Sequence, residues 1–224
     1  MPDFINTIDV LGDDAVIDSI IDRSIIEFKD DKVTTVGSYA FEKCESLRDV
    51  GLPNCTRLEA RAFEYCTSLE HIALPKVTIC SGESGFNYCT SLTELILPSV
   101  TTLGGTSVTR CTALRKVDFS LLSTIQYRTF QLDSSLVAVI LRNTGAICAL
   151  NNSDAFNDTP IANGTGYIYV PSALINSYKT ATNWSTYASQ FRELEQWTLD
   201  GTVNGELGHR VRFFDHDGTL LYCA

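Results

Sequence analysis

The stretch Ala40-Phe41-Glu42-Lys43-Cys44-Glu45-Ser46-Leu47-Arg48-Asp49-Val50-Gly51-Leu52-Pro53 decides how the rest of the chain is read, because it recurs. Ala62-Phe63-Glu64-Tyr65-Cys66-Thr67-Ser68-Leu69-Glu70-His71-Ile72-Ala73-Leu74-Pro75 matches it place for place, and Gly85-Phe86-Asn87-Tyr88-Cys89-Thr90-Ser91-Leu92-Thr93-Glu94-Leu95-Ile96-Leu97-Pro98 follows. Two looser copies come next. The first carries Val108, Cys111, Leu114, Val117 and Phe119, and the second Phe130, Asp133, Leu136, Val139 and Leu141, with Ser120 and Arg142 where proline stood. Cys44 to Cys66 is 22 residues, then 23 to Cys89, 22 to Cys111 and 22 to Asp133. A fixed step of this length means stacked coils, each too small to bury its own apolar faces and covered by its neighbours.

Within a copy, Leu-x-x-Val-x-Leu supplies the inward residues of a short strand, such as Leu69, Ile72 and Leu74, and proline ends it. Val77-Thr78-Ile79-Cys80 and Val100-Thr101-Thr102-Leu103 are β-branched and predict a second extended piece on the opposite side. Ala-Phe-x-x-Cys predicts a helical turn closing the coil, with Phe41, Phe63, Phe86 and Phe130 stacked from coil to coil. Six of the eight cysteines occupy apolar repeat positions: Cys44, Cys66, Cys89 and Cys111 share one, Cys55 replaces Val77 and Val100, and Cys80 replaces Leu58 and Leu103. They read as small buried hydrophobes. A row of thiols is not a tetrahedron and no Cys-x-x-Cys occurs, so zinc is not expected. Cys148 and Cys223 lie outside the pattern and are expected to be the reactive thiols.

The ends differ from the middle. Residues 1–32 read as an N-terminal cap with a short helix over 13–21 and a strand at Ser24-Ile25-Ile26-Glu27-Phe28, and residues 33–171 hold the repeats. Residues 172–197 read as a C-terminal helical cap, with Ser172 as N-cap of a helix over 173–180 and Trp184, Tyr187 and Phe191 covering the last coil. Residues 198–224 predict a β-hairpin about Asp217-Gly218, or the start of a further module.

The 224 residues are 44% hydrophobic and carry a net charge of −10. The acidic balance disfavours nucleic acid and anionic membranes, which call for a basic stripe. No apolar run approaches the roughly 20 residues of a membrane span, and Met1-Pro2-Asp3-Phe4 begins no secretory signal. His71, His209 and His216 are scattered, and no nucleophile motif, phosphate loop or dinucleotide fingerprint is present, so neither an enzyme nor a cofactor is expected.

Copies of Ala-Phe-x-x-Cys-x-Ser-Leu-x-x-Ile-x-Leu-Pro at 22 or 23 residues resemble the BspA-like class of bacterial leucine-rich repeats over about residues 33–171. The resemblance implies a strand-rich α/β solenoid, a right-handed leucine-rich-repeat coil of about five repeats capped at both ends. It also implies a bacterial surface or secreted protein that binds host proteins, other cells or surfaces. The lack of a signal leaves a phage particle or the cytoplasm as alternative settings.

If the Leu-x-x-Val-x-Leu strands line one face, their outward side chains form columns. The candidate binding residues are Arg48, Asp49, Glu70, His71, Thr93, Glu94, Ile96, Arg115, Lys116, Asp118 and Ile140. The expected function is a non-catalytic adhesion module presenting this face to a protein or glycan. The alternative is a rigid spacer in a phage tail or bacterial surface assembly. Replacing Glu94 and Ile96 together is expected to weaken capture without changing the melting temperature.

Overall fold

The computed structural model describes residues 23–80, 83 and 85–194, together with the backbone of four short strands at 8–9, 15–17, 213–214 and 220–221. One side of the coils is formed by β3 (Glu27–Lys29), β5 (Asp49–Gly51), β7 (His71–Ala73), β9 (Glu94–Ile96), β11 (Lys116–Phe119), β13 (Ala138–Leu141), β15 (Tyr167–Val170) and β16 (Phe191–Glu193), numbered in chain order. All pair in parallel, in two ladders: β3-β5-β7 and β9-β11-β13-β15-β16. The interruption between β7 and β9 falls in the 23-residue step, whose added residue lies between Cys80 and Phe86.

The second extended piece forms its own sheet. It runs β1 (Ile8–Asp9), β2 (Ala15–Ile17), β4 (Val33–Val36), β6 (Arg57–Leu58), β8 (Ile79–Cys80), β10 (Thr102–Leu103), β12 (Thr124–Ile125) and β14 (Ala149–Leu150), parallel except for the β1–β2 pair. A hydroxyl ladder reinforces it. The side chains of Thr56, Thr78 and Thr101 each donate to the backbone carbonyl of the threonine one coil earlier at 3.3 Å, and Ser123 donates to Thr101 at 2.8 Å.

The third side is built of tight turns and not of α-helix, with one 3-10 turn at Ser153–Phe156 in the last coil. Its backbone N–H groups point along the stack: Phe41 donates to Ala62 (2.9 Å), Lys43 to Glu64 (2.8 Å), Phe63 to Gly85 (2.9 Å) and Tyr65 to Asn87 (2.9 Å). A helix would have kept these bonds within one segment. Here every second donor is spent on the next coil, and Lys43, Tyr65, Tyr88, Arg110 and Leu132 adopt φ between 58° and 66° to allow it. Except between β7 and β9, the coil is therefore bonded to its neighbours on all three sides, and the helical content sits toward the C-terminal end.

Between the sides lies one continuous apolar core. The Phe41 and Phe63 rings stack at 4.9 Å, Phe63 and Phe86 at 5.7 Å, and Phe130 and Phe156 at 5.3 Å. Where Val108 replaces phenylalanine in the ring column, the same coil carries Phe119 in place of the strand leucine, and Phe119 meets Phe130 at 6.4 Å. Large and small are exchanged within one layer, which keeps the packed volume.

The segment expected as a helix over 13–21 instead contributes β2, paired in parallel with β4. Its apolar spacing is short enough to serve either state, and a neighbouring strand edge decides it. At the other end a 3-10 turn at Ser172–Leu174 precedes α1 (Ile175–Thr180), and Pro171, not Ser172, holds the cap position of that turn. Trp184 and Tyr187 close over Phe156 at 5.9 and 5.4 Å. Beyond it, β17 (Phe213–Phe214) and β18 (Leu220–Leu221) pair antiparallel on either side of Asp217-Gly218.

Candidate binding face

Strand alternation fixes which residues face outward. Val50, Leu95, Val117 and Val139 belong to the core, so the residues flanking each point the other way. Two outward columns result. Asp49 lies beside His71, while Glu94, Lys116, Ala138 and Tyr167 run in register across the second ladder. The other column runs Lys29, Gly51, Ala73, and then Ile96, Asp118, Ile140, Tyr169, Arg192.

Arg48, Glu70, Thr93 and Arg115 precede their strands and are exposed. Their backbone is pinned: the Arg48 carbonyl accepts from the N–H groups of Glu70 and His71 at 3.0 Å, and that of Thr93 from Arg115 at 2.8 Å. The candidate side chains thus project from a fixed main chain.

Ion pairs cross between coils on this face. Lys29 bridges Glu27 and Asp49, the latter at 2.8 Å, and these hydrogen bonds hold its ammonium well above the ordinary lysine range. Lys116 meets Glu94 at 2.8 Å. Arg142 grips Asp118 with two bonds of 2.7 Å, the bidentate geometry that a guanidinium and a carboxylate favour. Arg192 lies over the Tyr167 ring at 4.1 Å.

Two predicted site residues are not open to solvent. Lys116 is 8% exposed and Ile140 0%, although both lie on the outward side. His71, Glu94 and Ile96 are exposed, Asp49 and Asp118 half-buried. The open side chains of the predicted set therefore lie on β7 and β9 and at the residues just before β5, β7, β9 and β11, while β5 itself is half-buried.

The thiol expectation is corrected at Cys148, which is fully buried. Its N–H donates to the Tyr178 hydroxyl at 2.8 Å, the Trp184 indole donates to its carbonyl at 2.6 Å, and burial pushes its thiol up to about 12. Such a thiol is not a nucleophile. Cys223 lies outside the described residues, as do His209 and His216. Among the described residues no group of three His, Cys, Asp or Glu side chains is placed to hold a metal, and no helix is long and apolar enough to cross a membrane.

The sequence reading missed a groove of about 450 Å³ on the second sheet, lined by Ile79, Glu83, Thr102, Gly105 and Tyr127 among others. Tyr127 lies one 22-residue step after Gly105 and fills its missing side chain, since a Cβ there would meet the ring at 2.5 Å. The Tyr127 hydroxyl bonds to the Glu83 carboxylate. A glycine followed by a large aromatic one period later was the signal available.

No curated protein is similar in sequence to this chain. Among solved structures it is similar to a leucine rich cell surface protein of Faecalibacterium prausnitzii A2-165, with 23% identity and a TM-score of 0.53 over 65% of this chain and 39% of that one. It is also similar to the leucine-rich repeat protein of T. pallidum, with 19% identity and a TM-score of 0.55 over 81% of this chain and 86% of that one. At these identities the likeness concerns the fold, and the chain spans well under half of the Faecalibacterium protein. Residues 21–143 match the pattern described as BspA type Leucine rich repeat region, in six copies. With more than half of its length accounted for by that pattern, the chain belongs to the BspA-type leucine-rich repeat family.

Proposed function

We propose that this chain is a non-catalytic adhesion module that engages a protein or glycan through the open strand face at β7 and β9. The observation that carries the reading is a row of exposed side chains on β7 and β9, which adjoin across the break between the two ladders. Glu70, His71, Ala73, Thr93, Glu94 and Ile96 stand together there, Ile96 with 40% of its surface in water. An exposed isoleucine on the same face as exposed carboxylates and an imidazole is the mixed apolar and polar composition of a recognition surface. Two adjoining strands with the exposed residues before them give a platform on the order of 10 Å across, suited to an extended peptide or a short glycan. A bacterial surface setting agrees with the description of the Faecalibacterium neighbour as a cell surface protein.

The test is binding of the purified chain to immobilised extracellular-matrix proteins and bacterial glycans, beside a variant carrying Glu70→Ala, His71→Ala and Ile96→Ser. Glu94 is left in place because it pairs with Lys116. Saturable binding by the wild type, lost in the variant at an unchanged melting temperature, is the expected result. Binding retained in full by the folded variant refutes the face. Failure of the wild type to bind favours a spacer.

A further inference from the structure

Exposure on the strand face changes abruptly between β9 and β11. His71, Ala73, Glu94 and Ile96 are open to solvent, but Lys116 is 8% exposed, Tyr169 6%, and Ala138 and Ile140 0%. These four point away from the core, because each flanks one of the core residues Val117, Val139 and Ile168 along its strand. Ala138, Ile140 and Tyr169 form a second apolar cluster, separate from the core, with Tyr167 and Leu194 packed against it. Small outward side chains on a sheet reach zero exposure only when another layer lies on them.

Two features of the chain indicate what that layer is. Leu194 directly follows β16 and already packs on this cluster, so the chain leaves its last coil on the covered side. Thirty residues follow Leu194, and within them Phe213 pairs with Leu221 and Phe214 with Leu220 in a two-stranded ribbon. An isolated ribbon of this size is marginal in water and needs an apolar support. The cluster is apolar and adjacent to the departing chain, and among the described residues no repeat strand lies above it.

We propose that the outward face of β11, β13 and β15 is an intramolecular docking surface, and that its occupant is the chain's own β17–β18 ribbon, folded back over Ala138, Ile140 and Tyr169. The strand face is then divided. Its C-terminal half is sealed by this chain, which removes an exposed apolar patch, and its N-terminal half is left for an external ligand.

Hydroxyl-radical footprinting of the full chain, read by mass spectrometry, tests it with internal references. Tyr127, 39% exposed, sets the rate of an open tyrosine, and Tyr178, buried in the core, sets that of a closed one. Two double variants are compared with the wild type: Phe213→Glu with Leu221→Glu, and Phe214→Glu with Leu220→Glu, because the two cross-strand pairs present opposite faces of the ribbon. In the wild type Tyr169 is expected to be protected like Tyr178. In at least one variant its oxidation is expected to rise to the Tyr127 rate while Tyr178 stays protected. Protection of Tyr169 in both variants overturns the proposal, as does wild-type oxidation at the Tyr127 rate. Wild-type protection that is lost on dilution also overturns it, since a second copy would then be the cover.

Discussion

Replacing Asp133 by cysteine should make the protein more stable, and the gain should grow with pH. Asp133 occupies the position held by Cys44, Cys66, Cys89 and Cys111 in earlier coils and is 0% exposed. In those coils the thiols of Cys66, Cys89 and Cys111 donate to the carbonyls of Phe41, Phe63 and Phe86 at 3.1, 3.3 and 3.0 Å. The Asp133 carboxyl instead accepts the Cys111 N–H at 2.8 Å through Oδ1, and its Oδ2 is buried with no hydrogen-bond partner among the described residues. Burial, and secondarily the neighbouring Cys111, push its pKa well above the ordinary 3.8. Below that ordinary value the carboxyl is protonated in both states. As pH rises past it the unfolded chain ionises while the folded one does not, so stability falls by about 1.4 kcal/mol per pH unit until the folded pKa is reached.

A thiol removes this loss and restores the column. The Cys111 N–H can then return to the carbonyl three residues back, as the Cys66 and Cys89 N–H groups do at 3.2 Å. Relieving an unpaired buried polar oxygen is worth about 1–3 kcal/mol at neutral pH. Urea melts of the wild type and Asp133→Cys at pH 4.5 and 7.5 measure it. A variant less stable than the wild type at pH 7.5, or a difference that does not change with pH, refutes the reasoning.

Three further outcomes are expected. Leu92→Ala, in the fully buried strand-side column, should cost about 2–5 kcal/mol, visible as a lower urea midpoint with an unchanged slope. The thiols of Cys44, Cys55, Cys66, Cys80, Cys89, Cys111 and Cys148 are all buried, so thiol titration mapped by mass spectrometry should label none of them until the chain is unfolded. Glu94→Ala should cost about 0.5–1 kcal/mol by leaving the Lys116 ammonium without its carboxylate, and the loss should shrink in high salt; a wild-type melting temperature in low salt would contradict the pairing.

The repeat register was legible because it is written in large apolar residues at a fixed step, and every coil must fill the same space as the one before. Both sheets follow from it. The third side was misjudged because the local spacing of Phe41 and Cys44 suits a helical turn, whereas the bonds that Phe41 and Lys43 make to Ala62 and Glu64 lie a full coil away in sequence. The strand at 15–17 was lost in the same way, to a partner outside its own segment. The outward columns were legible from alternation alone. Their burial from Lys116 onward was not, since it depends on chain that arrives from elsewhere, although the change from Asp49 and His71 to Ala138 and Tyr167 in one column already hinted at it.

The bonds that join each coil to the next on three sides also decide how the protein would respond to tension. The coils lie in sequence order from β3 to β16, so a pull on the two ends meets them one at a time. The terminal coil has neighbours on one side only and should peel first. Each release frees about 22 residues and lengthens the tether by roughly 75 Å. The chain is in this respect a ratchet of nearly equal steps, and among the interior coils the 23-residue one, where β7 and β9 do not pair with each other, is the step set to yield at the lowest force.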